Sequence, residues 1–441
     1  MVRINAMSDH VFQPNRRAVL AGLGAVALTP PATPARGEEP LSAALRAKPG
    51  LLNLREGEAA TPIWSLGDAR LLFKRGDSPQ IGLANDLPVP LVFNWCGLEG
   101  VPAAEPLLGR PPLAPSASDT LRLPLRHAGT YLCDLALLGD GAAQASRALP
   151  LIVAENEAIP VDRDETFLIE GWRLKRDGTA IAPGGLDPDG TVPVYTVNGQ
   201  LKRDIPVRGR ERLRIRFINA LQRNVIGLKI ETHQARIMAL DGQPAEPFLA
   251  QNGAFALAPG GRADVFIDVA AGGGTSSILM HDGEAARPIA RLVTSEEPPV
   301  RREMLAPAPA LPANGLPSRL DLKTALRVDL PIGGDQKDWR PPATFAATTP
   351  PAFHAKSGRT VVLSLTNRAQ MTSVFHLHGH HFRLLDRLDD GWKPFWLDTI
   401  AIDAGQTQRI AYAAEYAGRW LMEAVEAHWK APRLVRWFSI D

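Results

Sequence analysis

Short apolar runs, separated by turn residues, recur along almost the whole chain and predict an all-β protein. Val, Ile, Leu and Phe dominate these runs, and no long segment after the N-terminal region sustains a helical periodicity. The 38 glycines and 39 prolines supply the turns that such a fold requires. Examples of the predicted strands are RLLFKRG, PLVFNWCG, RLRIRFINA, RADVFIDV, TVVLSLTN and FWLDTIAIDAGQTQRIAYAA.

The chain has 441 residues, which is too many for one hydrophobic core, and its composition changes at two places. The segment from Glu296 to Ser318 is rich in Pro and Ala and lacks a strand pattern, which is typical of a linker. A weaker break lies near residues 154–164. We therefore expect three consecutive β-sandwich domains. Their expected bounds are 37–156, 157–297 and 319–441, with the linker at 298–318.

A repeated local pattern supports this division into three domains. In each domain a glycine turn precedes an apolar strand that ends at an asparagine, namely Asn85, Asn219 or Asn367. The repetition indicates that one domain type is used three times.

Residues 1–36 are expected to be a signal peptide that is not part of the fold. Arg16 and Arg17 precede a modest apolar run from Ala18 to Leu28, and small residues follow up to an expected cleavage point after Ala35. The run is too short to anchor the protein in a bilayer. This pattern resembles a twin-arginine export signal and predicts a periplasmic protein without a transmembrane anchor after cleavage. The alternative is a disordered tail that happens to contain two arginines.

The densest group of metal-binding side chains lies in VFHLHGHHFRLLD, from Val374 to Asp386. Four of the ten histidines of the chain fall within six residues there. In an extended strand, a spacing of two residues places His376, His378 and His380 on one face, where they could bind a metal. The alternative is a strand edge with solvated histidines.

The order of motifs along the chain resembles the three-domain multicopper oxidases, the family of laccases and copper efflux oxidases. The motifs are TPIW and KRGD in the first domain, VNG, RLRIRFINA, ALDGQP and LAPGGRADV in the second, and HLHGHHF, WLDTIAIDAGQTQRIAY and GRW in the third. The resemblance implies three consecutive cupredoxin-like Greek-key β-sandwiches. Family members hold a blue copper, which takes electrons from substrate, and a three-copper cluster, which reduces dioxygen to water.

Most positions that hold copper in the family carry other residues in this chain. Two cluster histidines survive, as His376 and His378, whereas the copper-binding cysteine is replaced by Ala424. The remaining ligand positions are occupied by Asn94 and Cys96 in the first motif, Asp134 and Ala136 in the second, Ser373 in the third, and Glu423, Val425 and a displaced His428 in the fourth. A blue copper needs a thiolate and two imidazoles, so the resemblance implies that laccase-type catalysis is lost.

The two cysteines, Cys96 and Cys133, admit two interpretations. An oxidising periplasm would permit a disulfide between them. The resemblance, however, implies that Cys96 points into the former copper cluster, whereas Cys133 points away from its neighbour Asp134. Strand parity therefore argues against a bond.

Two hypotheses account for the surviving histidines. In the first, His376, His378, Asp134 and Glu423 lie together and bind a single metal ion, copper or zinc. In the second, the two acids form hydrogen bonds or ion pairs with the two histidines, and the protein has no cofactor. The sequence favours the second hypothesis, because Ala424 and other replacements fill space and cannot bind a metal.

The expected function is binding rather than catalysis, although the sequence leaves open whether the protein is an enzyme. The 49 basic and 47 acidic residues are balanced, so nucleic acid is not an expected partner. The family contains copper-free periplasmic scaffold proteins, and the resemblance therefore implies a binding or scaffold protein. Its partner would be an envelope protein or a small molecule. The alternative is a copper-dependent oxidoreductase with an altered mononuclear site at His376 and His378.

Overall fold

Strands account for nearly all the regular structure in the computed structural model. The structure describes residues 41–185, 189–272, 274–334, 337–386 and 391–441, so the predicted signal peptide lies outside the described residues. The helices in these ranges are four short 3-10 turns at Pro102–Ala104, Ala136–Leu138, Gln251–Gly253 and Pro342–Thr344. Within the described ranges no helix is both long and apolar enough to cross a membrane. The all-β prediction is confirmed.

Eight strands form the first of three β-sandwiches. They are β1 (Ser42–Leu52), β2 (Thr61–Ser65), β3 (Leu71–Lys74), β4 (Gln80–Asn85), β5 (Asn94–Cys96), β6 (Ser118–Arg122), β7 (Gly129–Asp134) and β8 (Leu149–Ala154). Two four-stranded sheets result, ordered β2-β1-β4-β6 and β3-β8-β7-β5. Apolar side chains from both sheets, including Trp64, Phe73 and Tyr131, form a shared core. Burial of this apolar area stabilises the pairing of the sheets.

The second sandwich is the largest. Its strands are β9 (Arg163–Leu174), β10 (Ala180–Ile181), β11 (Val192–Val197), β12 (Asp204–Val207), β13 (Arg212–Asn219), β14 (Ile226–Ile230), β15 (Arg236–Leu240), β16 (Gln243–Leu249), β17 (Ala254–Leu257), β18 (Arg262–Asp268), β19 (Thr275–His281) and β20 (Ala286–Thr294). A seven-stranded sheet ordered β10-β9-β13-β18-β15-β16, with β11 also paired to β9, packs on a five-stranded sheet ordered β12-β20-β19-β14-β17. Their facing side chains form one apolar core.

Nine strands form the third sandwich, which contains the histidine-rich segment. They are β21 (Leu326–Ile332), β22 (His354–Ala355), β23 (Thr360–Asn367), β24 (Ser373–Leu377), β25 (Arg383–Leu384), β26 (Thr399–Ile402), β27 (Thr407–Ala413), β28 (Gly418–Glu426) and β29 (Leu434–Ile440). The sheets are ordered β21-β23-β27-β25 and β22-β29-β28-β24-β26. Strand β24 therefore lies between β28 and β26, away from the edges of its sheet.

The three asparagines of the repeated sequence pattern occupy equivalent places in the three sandwiches. Asn85, Asn219 and Asn367 end strands β4, β13 and β23, and each is buried. In each case the side-chain oxygen accepts a hydrogen bond from the backbone N–H two residues later, and the side-chain NH₂ donates to two backbone carbonyls. The same local solution occurs three times, which agrees with one domain type used repeatedly.

The Pro- and Ala-rich segment between β20 and β21 has no strand, yet it packs tightly on the rest of the protein. Asn314 is buried, and its side-chain NH₂ donates to the backbone oxygen of Ala128 at 2.8 Å and to Gln243 Oε1 at 3.0 Å. Earlier in the segment, the backbone oxygen of Ala306 accepts a hydrogen bond from Arg212 at 2.8 Å. The segment thus contacts both the first and the second sandwich.

Candidate functional site

Strand β24 carries His376 toward the junction of the first and third sandwiches. The antiparallel register places His376 opposite Glu423 on β28 and opposite Thr399 on β26, so these three side chains lie on one face of the sheet. The His376 and His378 rings lie 4.8 Å apart. The structure brings these two histidines and Glu423 together.

The prediction that His380 shares this face is wrong. Strand β24 ends at Leu377, and Gly379 adopts a positive φ of 67°, which breaks the alternation of an extended strand. His380 instead packs among the rings of Tyr412, Trp420 and Phe438. Burial among these rings lowers the pKa of His380 to about 4, so the ring is neutral.

One ring nitrogen of His376 is fixed, and the other has no partner. Thr399 Oγ1 donates its single proton to Asp398 Oδ1 at 2.6 Å, so it accepts the hydrogen bond from His376 Nδ1 at 2.8 Å. This chain of hydrogen bonds places a proton on Nδ1. His376 Nε2, in contrast, is buried without a hydrogen-bond partner in the described structure.

His378, in contrast, has carboxylates at both ring nitrogens. Its Nδ1 lies 3.0 Å from Glu105 Oε1, and its Nε2 lies 2.7 Å from Glu423 Oε1. Burial alone would lower the pKa of His378, but the charges and hydrogen bonds of the two acids outweigh burial and raise the pKa to about 10. His378 is therefore an imidazolium, and both nitrogens donate.

Glu423 completes this buried ion cluster. Its second oxygen, Oε2, pairs with the guanidinium of Arg433. Burial would raise the pKa of Glu423, but Arg433 and then His378 hold it well below its usual range. The carboxylate is thus ionised and neutralised by two cations.

A cavity of about 50 Å³ lies beside these groups, large enough for roughly three or four water molecules. The first sandwich contributes Asn94, Cys96 and Asp134 to its wall, and the third contributes His376 and Glu423. Asn94 Nδ2 donates to Glu423 Oε1 at 3.2 Å, whereas Asn94 Oδ1 is buried and has no partner in the described structure. Two residues with a buried polar atom that lacks a partner, Asn94 and His376, therefore line one cavity, which is where a bound ligand or water is expected.

Asp134 lines the same cavity but is not part of the group of donor atoms that the histidines and Glu423 form. It accepts a hydrogen bond from the Ala136 backbone N–H at 2.9 Å, and the Cys96 thiol lies 3.8 Å from its Oδ2. The donor atoms that lie within 4.8 Å of one another belong to His376, His378 and Glu423. Of the four predicted metal ligands, three are therefore grouped and Asp134 is not among them.

Four residues of the site were missed by sequence reasoning. They are Glu105, Asp398, Thr399 and Arg433. Glu105 follows a 3-10 turn in the first sandwich, and nothing in its neighbouring sequence indicates that it reaches the third. Asp398 and Thr399 lie within the predicted strand motif WLDTIAID. A polar pair between apolar residues in that motif is the sequence feature that could have identified them as site residues.

Both cysteines are free, as strand parity predicted. Cys96 is paired with Leu132 across the sheet, while Cys133 is paired with Trp95, so the two thiols lie on opposite faces. Cys133 belongs to the apolar core of the first sandwich, and Cys96 lines the cavity. Burial raises the pKa of both thiols, so both are protonated.

Comparisons with known proteins agree with this architecture. A family model described as multicopper oxidase matches residues 320–440. The multicopper oxidase MmcO of Mycobacterium tuberculosis is 24% identical over 405 residues, covering 79% of this chain and 76% of MmcO. The laccase of Bacillus subtilis is 26% identical over 324 residues, covering 60% of each chain.

Solved structures share the fold over almost the whole chain. A multicopper oxidase from Pseudomonas thermotolerans superposes with a TM-score of 0.77 and 23% identity, covering 91% of this chain and 99% of that chain. Lac15 from a marine microbial metagenome gives a TM-score of 0.73 and 23% identity, covering 91% of this chain and 100% of Lac15. The predicted succession of three cupredoxin-like sandwiches is confirmed.

The chain is similar to multicopper oxidases, and its third sandwich matches the family model.

This similarity directs attention to further positions in the third sandwich. Ala424 is buried in the apolar core, with Phe375 and Leu434 as its cross-strand neighbours. Ser373 is also buried, and its hydroxyl donates to Asn367 Oδ1 at 2.9 Å. His428 lies in the turn after β28 and is exposed.

Proposed function

We propose that this relative of the multicopper oxidases does not reduce dioxygen at four coppers and instead works by binding another molecule. The observation that carries the proposal is the environment of Ala424, the residue that the resemblance places at the copper-binding cysteine. It is packed between Phe375 and Leu434, and both cysteines of the chain lie in the first sandwich. A blue copper would lack its thiolate, so electrons from a substrate would have no entry point.

The donors beside the cavity also fit a three-copper cluster poorly. His378 donates from both nitrogens to Glu105 and Glu423, so neither nitrogen has a lone pair for a metal. Asn94 and Asp134 stand where the resemblance expects imidazoles. One free imidazole nitrogen, on His376, is too few to hold three copper ions, and this supports a role without the cluster.

Copper loading tests the loss of four-copper chemistry. The purified full chain is incubated with copper under conditions that reconstitute the Bacillus subtilis laccase in parallel. We expect at most one copper per chain, no blue absorption band and no oxidation of a phenolic dye above the protein-free blank. Three or more coppers per chain together with dye oxidation would contradict the proposal. Repeated capture of one partner from the native periplasm, absent with an unrelated exported protein, would support a binding role.

The periplasmic location belongs to the same proposal and is supported by the sequence near the N-terminus. Arg16 and Arg17 precede the apolar run from Ala18 to Leu28, as expected of a twin-arginine signal. Replacing both arginines by lysine should leave the protein in the cytoplasmic fraction. Export of the double variant at the normal level would show that this pair does not direct it.

A second candidate function is a metal-dependent activity with a single ion, and one observation favours it. Thr399 holds His376 Nδ1, while His376 Nε2 is buried and lacks a partner in the described structure. Glu423 offers a carboxylate nearby, and two imidazoles with a carboxylate form a set that zinc or copper accepts. His378 would first have to leave one of its two acids. A bound ion would supply Lewis-acid or redox chemistry.

Metal analysis separates this candidate from the metal-free form. A single-ion site predicts one zinc or copper per chain by elemental analysis, lost in His376→Ala and retained in His281→Ala, whose ring is exposed in the second sandwich. Equal metal content in the two variants would eliminate the site.

A further inference from the structure

The outer face of the seven-stranded sheet in the second sandwich carries a row of arginines. On β13, Leu213 and Ile215 point into the core, so the alternate residues lie on the opposite face. Each of these arginines pairs with a carboxylate: Arg212 with Asp268 at 2.6 Å, Arg214 with Asp264 at 2.5 Å and with Glu155 at 2.8 Å, and Arg216 with Asp164 at 2.7 Å. Acids therefore balance the arginines of this strand.

Arg236 on β15 lies on the same face but lacks such a partner. The antiparallel register places it opposite Phe266 on β18 and Leu249 on β16, in one row with Arg214. No carboxylate of the described residues pairs with Arg236, although its side chain is half-buried. A guanidinium that has lost part of its hydration without gaining an anion is a ready partner for a carboxylate, which it can bind through two parallel hydrogen bonds.

Arg236 lines an open groove of about 450 Å³, a size within the usual range for small-molecule sites. Arg210 lines it too, and its guanidinium donates to the backbone oxygens of Arg301 and Arg302, which leaves its charge uncompensated. Asp268, the acidic residue in the wall, is already bound by Arg212. The groove is therefore positively charged.

One wall of the groove is apolar and exposed. Leu249 is 46% exposed and Met304 is 47% exposed, and both line the groove beside Phe266. Covering these side chains would remove apolar surface from water and stabilise a complex. The groove thus pairs a cationic group with an apolar surface, which is the complement of an amphipathic anion.

We propose that this groove binds an organic carboxylate, with the acid group on Arg236 and an apolar chain on Leu249 and Met304. The charge selects the anion, and the apolar wall selects a ligand that carries a hydrocarbon body. The site is formed by the second sandwich and the segment that follows it, and it does not depend on whether the third sandwich holds a metal, so it stands apart from the function proposed above.

Calorimetric titration of the full chain with decanoate tests the proposal, with decanol and decylammonium as neutral and cationic ligands of equal chain length. We expect saturable binding of one decanoate per chain and much weaker binding of decanol and decylammonium. The affinity for decanoate should fall as the salt concentration rises. Arg236→Gln should weaken decanoate binding about tenfold, because it removes a charged hydrogen-bond partner. Arg291→Gln, at an exposed ion pair of the same sandwich, should leave it unchanged.

A second pair of variants tests the apolar wall. Leu249→Ser should weaken decanoate several-fold, whereas Leu72→Ser, which alters a leucine that is 66% exposed in the first sandwich, should have no effect. Decanol binding as tightly as decanoate, unchanged affinity in Arg236→Gln, or no saturable binding at millimolar decanoate would each overturn the proposal. The first and third of these outcomes need no variant, so they hold even if a substitution perturbs folding.

Discussion

His376 and His378 lie two residues apart on one strand face, yet their hydrogen-bond partners give them opposite properties. Thr399 holds His376 Nδ1 and leaves its Nε2 without a partner, whereas Glu105 and Glu423 bind both nitrogens of His378 and make it a cation. The alternating sequence predicted that the rings would be neighbours, and the resemblance predicted that Glu423 would join them. Neither the alternating pattern nor the resemblance could predict Glu105. This acid comes from a distant segment, and its contact with His378 depends on how the first and third sandwiches pack.

The buried cluster around Glu423 predicts a specific effect of neutralising this acid. Glu423→Gln leaves Arg433 and His378 buried without their shared carboxylate, which should lower the free energy of unfolding by about 3 to 5 kcal/mol. Urea titration at pH 6 measures this loss. Glu415→Gln, at an exposed acid of the same sandwich, should change the free energy of unfolding little. A loss below about 1 kcal/mol would mean that the cluster is not stabilising.

The same cluster predicts how stability depends on alkaline pH. The pKa of His378 is raised from an ordinary value of 6.5 to about 10, so the folded state binds this proton more tightly than the unfolded state. Its contribution to stability is complete below pH 6.5 and is lost as pH rises from there to about 10. Urea midpoints measured between pH 6 and pH 10 should fall in the wild type and fall less steeply in Glu423→Gln. Parallel curves would show that His378 is not the group responsible.

Thiol chemistry gives a further test at the scale of single residues. Cys96 and Cys133 are buried, unpaired and protonated, so iodoacetamide should modify neither in the native protein. After unfolding in urea without a reductant, mass spectrometry should find both modified. Modification only after a reductant is added would reveal a disulfide and contradict the fold of the first sandwich around β5 and β7.

At the scale of the element, the end of β24 shows where sequence periodicity stops being a guide. The period of two holds for His376 and His378, and then the positive φ of Gly379 turns the chain so that His380 enters an aromatic cluster. The sequence shows the glycine but does not show that the chain turns there. A glycine within a strand pattern is compatible with either a continued strand or a turn, and packing against Trp420 decides between them.

Gly379 should therefore be intolerant of a side chain for two separable reasons. A Cβ at this position would lie 2.1 Å from the Trp420 ring, and the φ of 67° disfavours any residue with a Cβ. In Gly379→Ala the free energy of unfolding should fall by roughly 1 to 2 kcal/mol because of the backbone conformation, and by about 1 to 3 kcal/mol more because of overpacking against Trp420. The control is Gly405→Ala, which has a similar φ of 71° and no atom within 4 Å of the added Cβ, so it should show the backbone cost alone. Equal thermal unfolding curves for the two variants would argue against the clash.

At the scale of the whole molecule, the repeated strand pattern and the family motifs were enough to predict three sandwiches in sequence. The contacts that join them were not predictable, because they connect residues far apart in the chain that share no local pattern. Arg262 is the clearest case. It is fully buried, donates to the backbone oxygen of Thr130 in the first sandwich at 3.1 Å, and pairs with Asp398 in the third at 2.6 Å.

Because Arg262 belongs to the second sandwich, one guanidinium connects all three, and its removal should affect their cooperation as well as their stability. Arg262→Met would leave Asp398 and Asp241 buried beside each other without the guanidinium between them, at a cost of about 3 to 5 kcal/mol. We expect the urea transition to move to lower concentration and to become broader or biphasic, since the sandwiches would unfold less as one unit. Arg291→Met, at an exposed ion pair, should shift the transition by at most about 1 kcal/mol and keep it single. A single steep transition near the wild-type midpoint in Arg262→Met would mean that the apolar contacts between the sandwiches, rather than this buried ion cluster, hold them together.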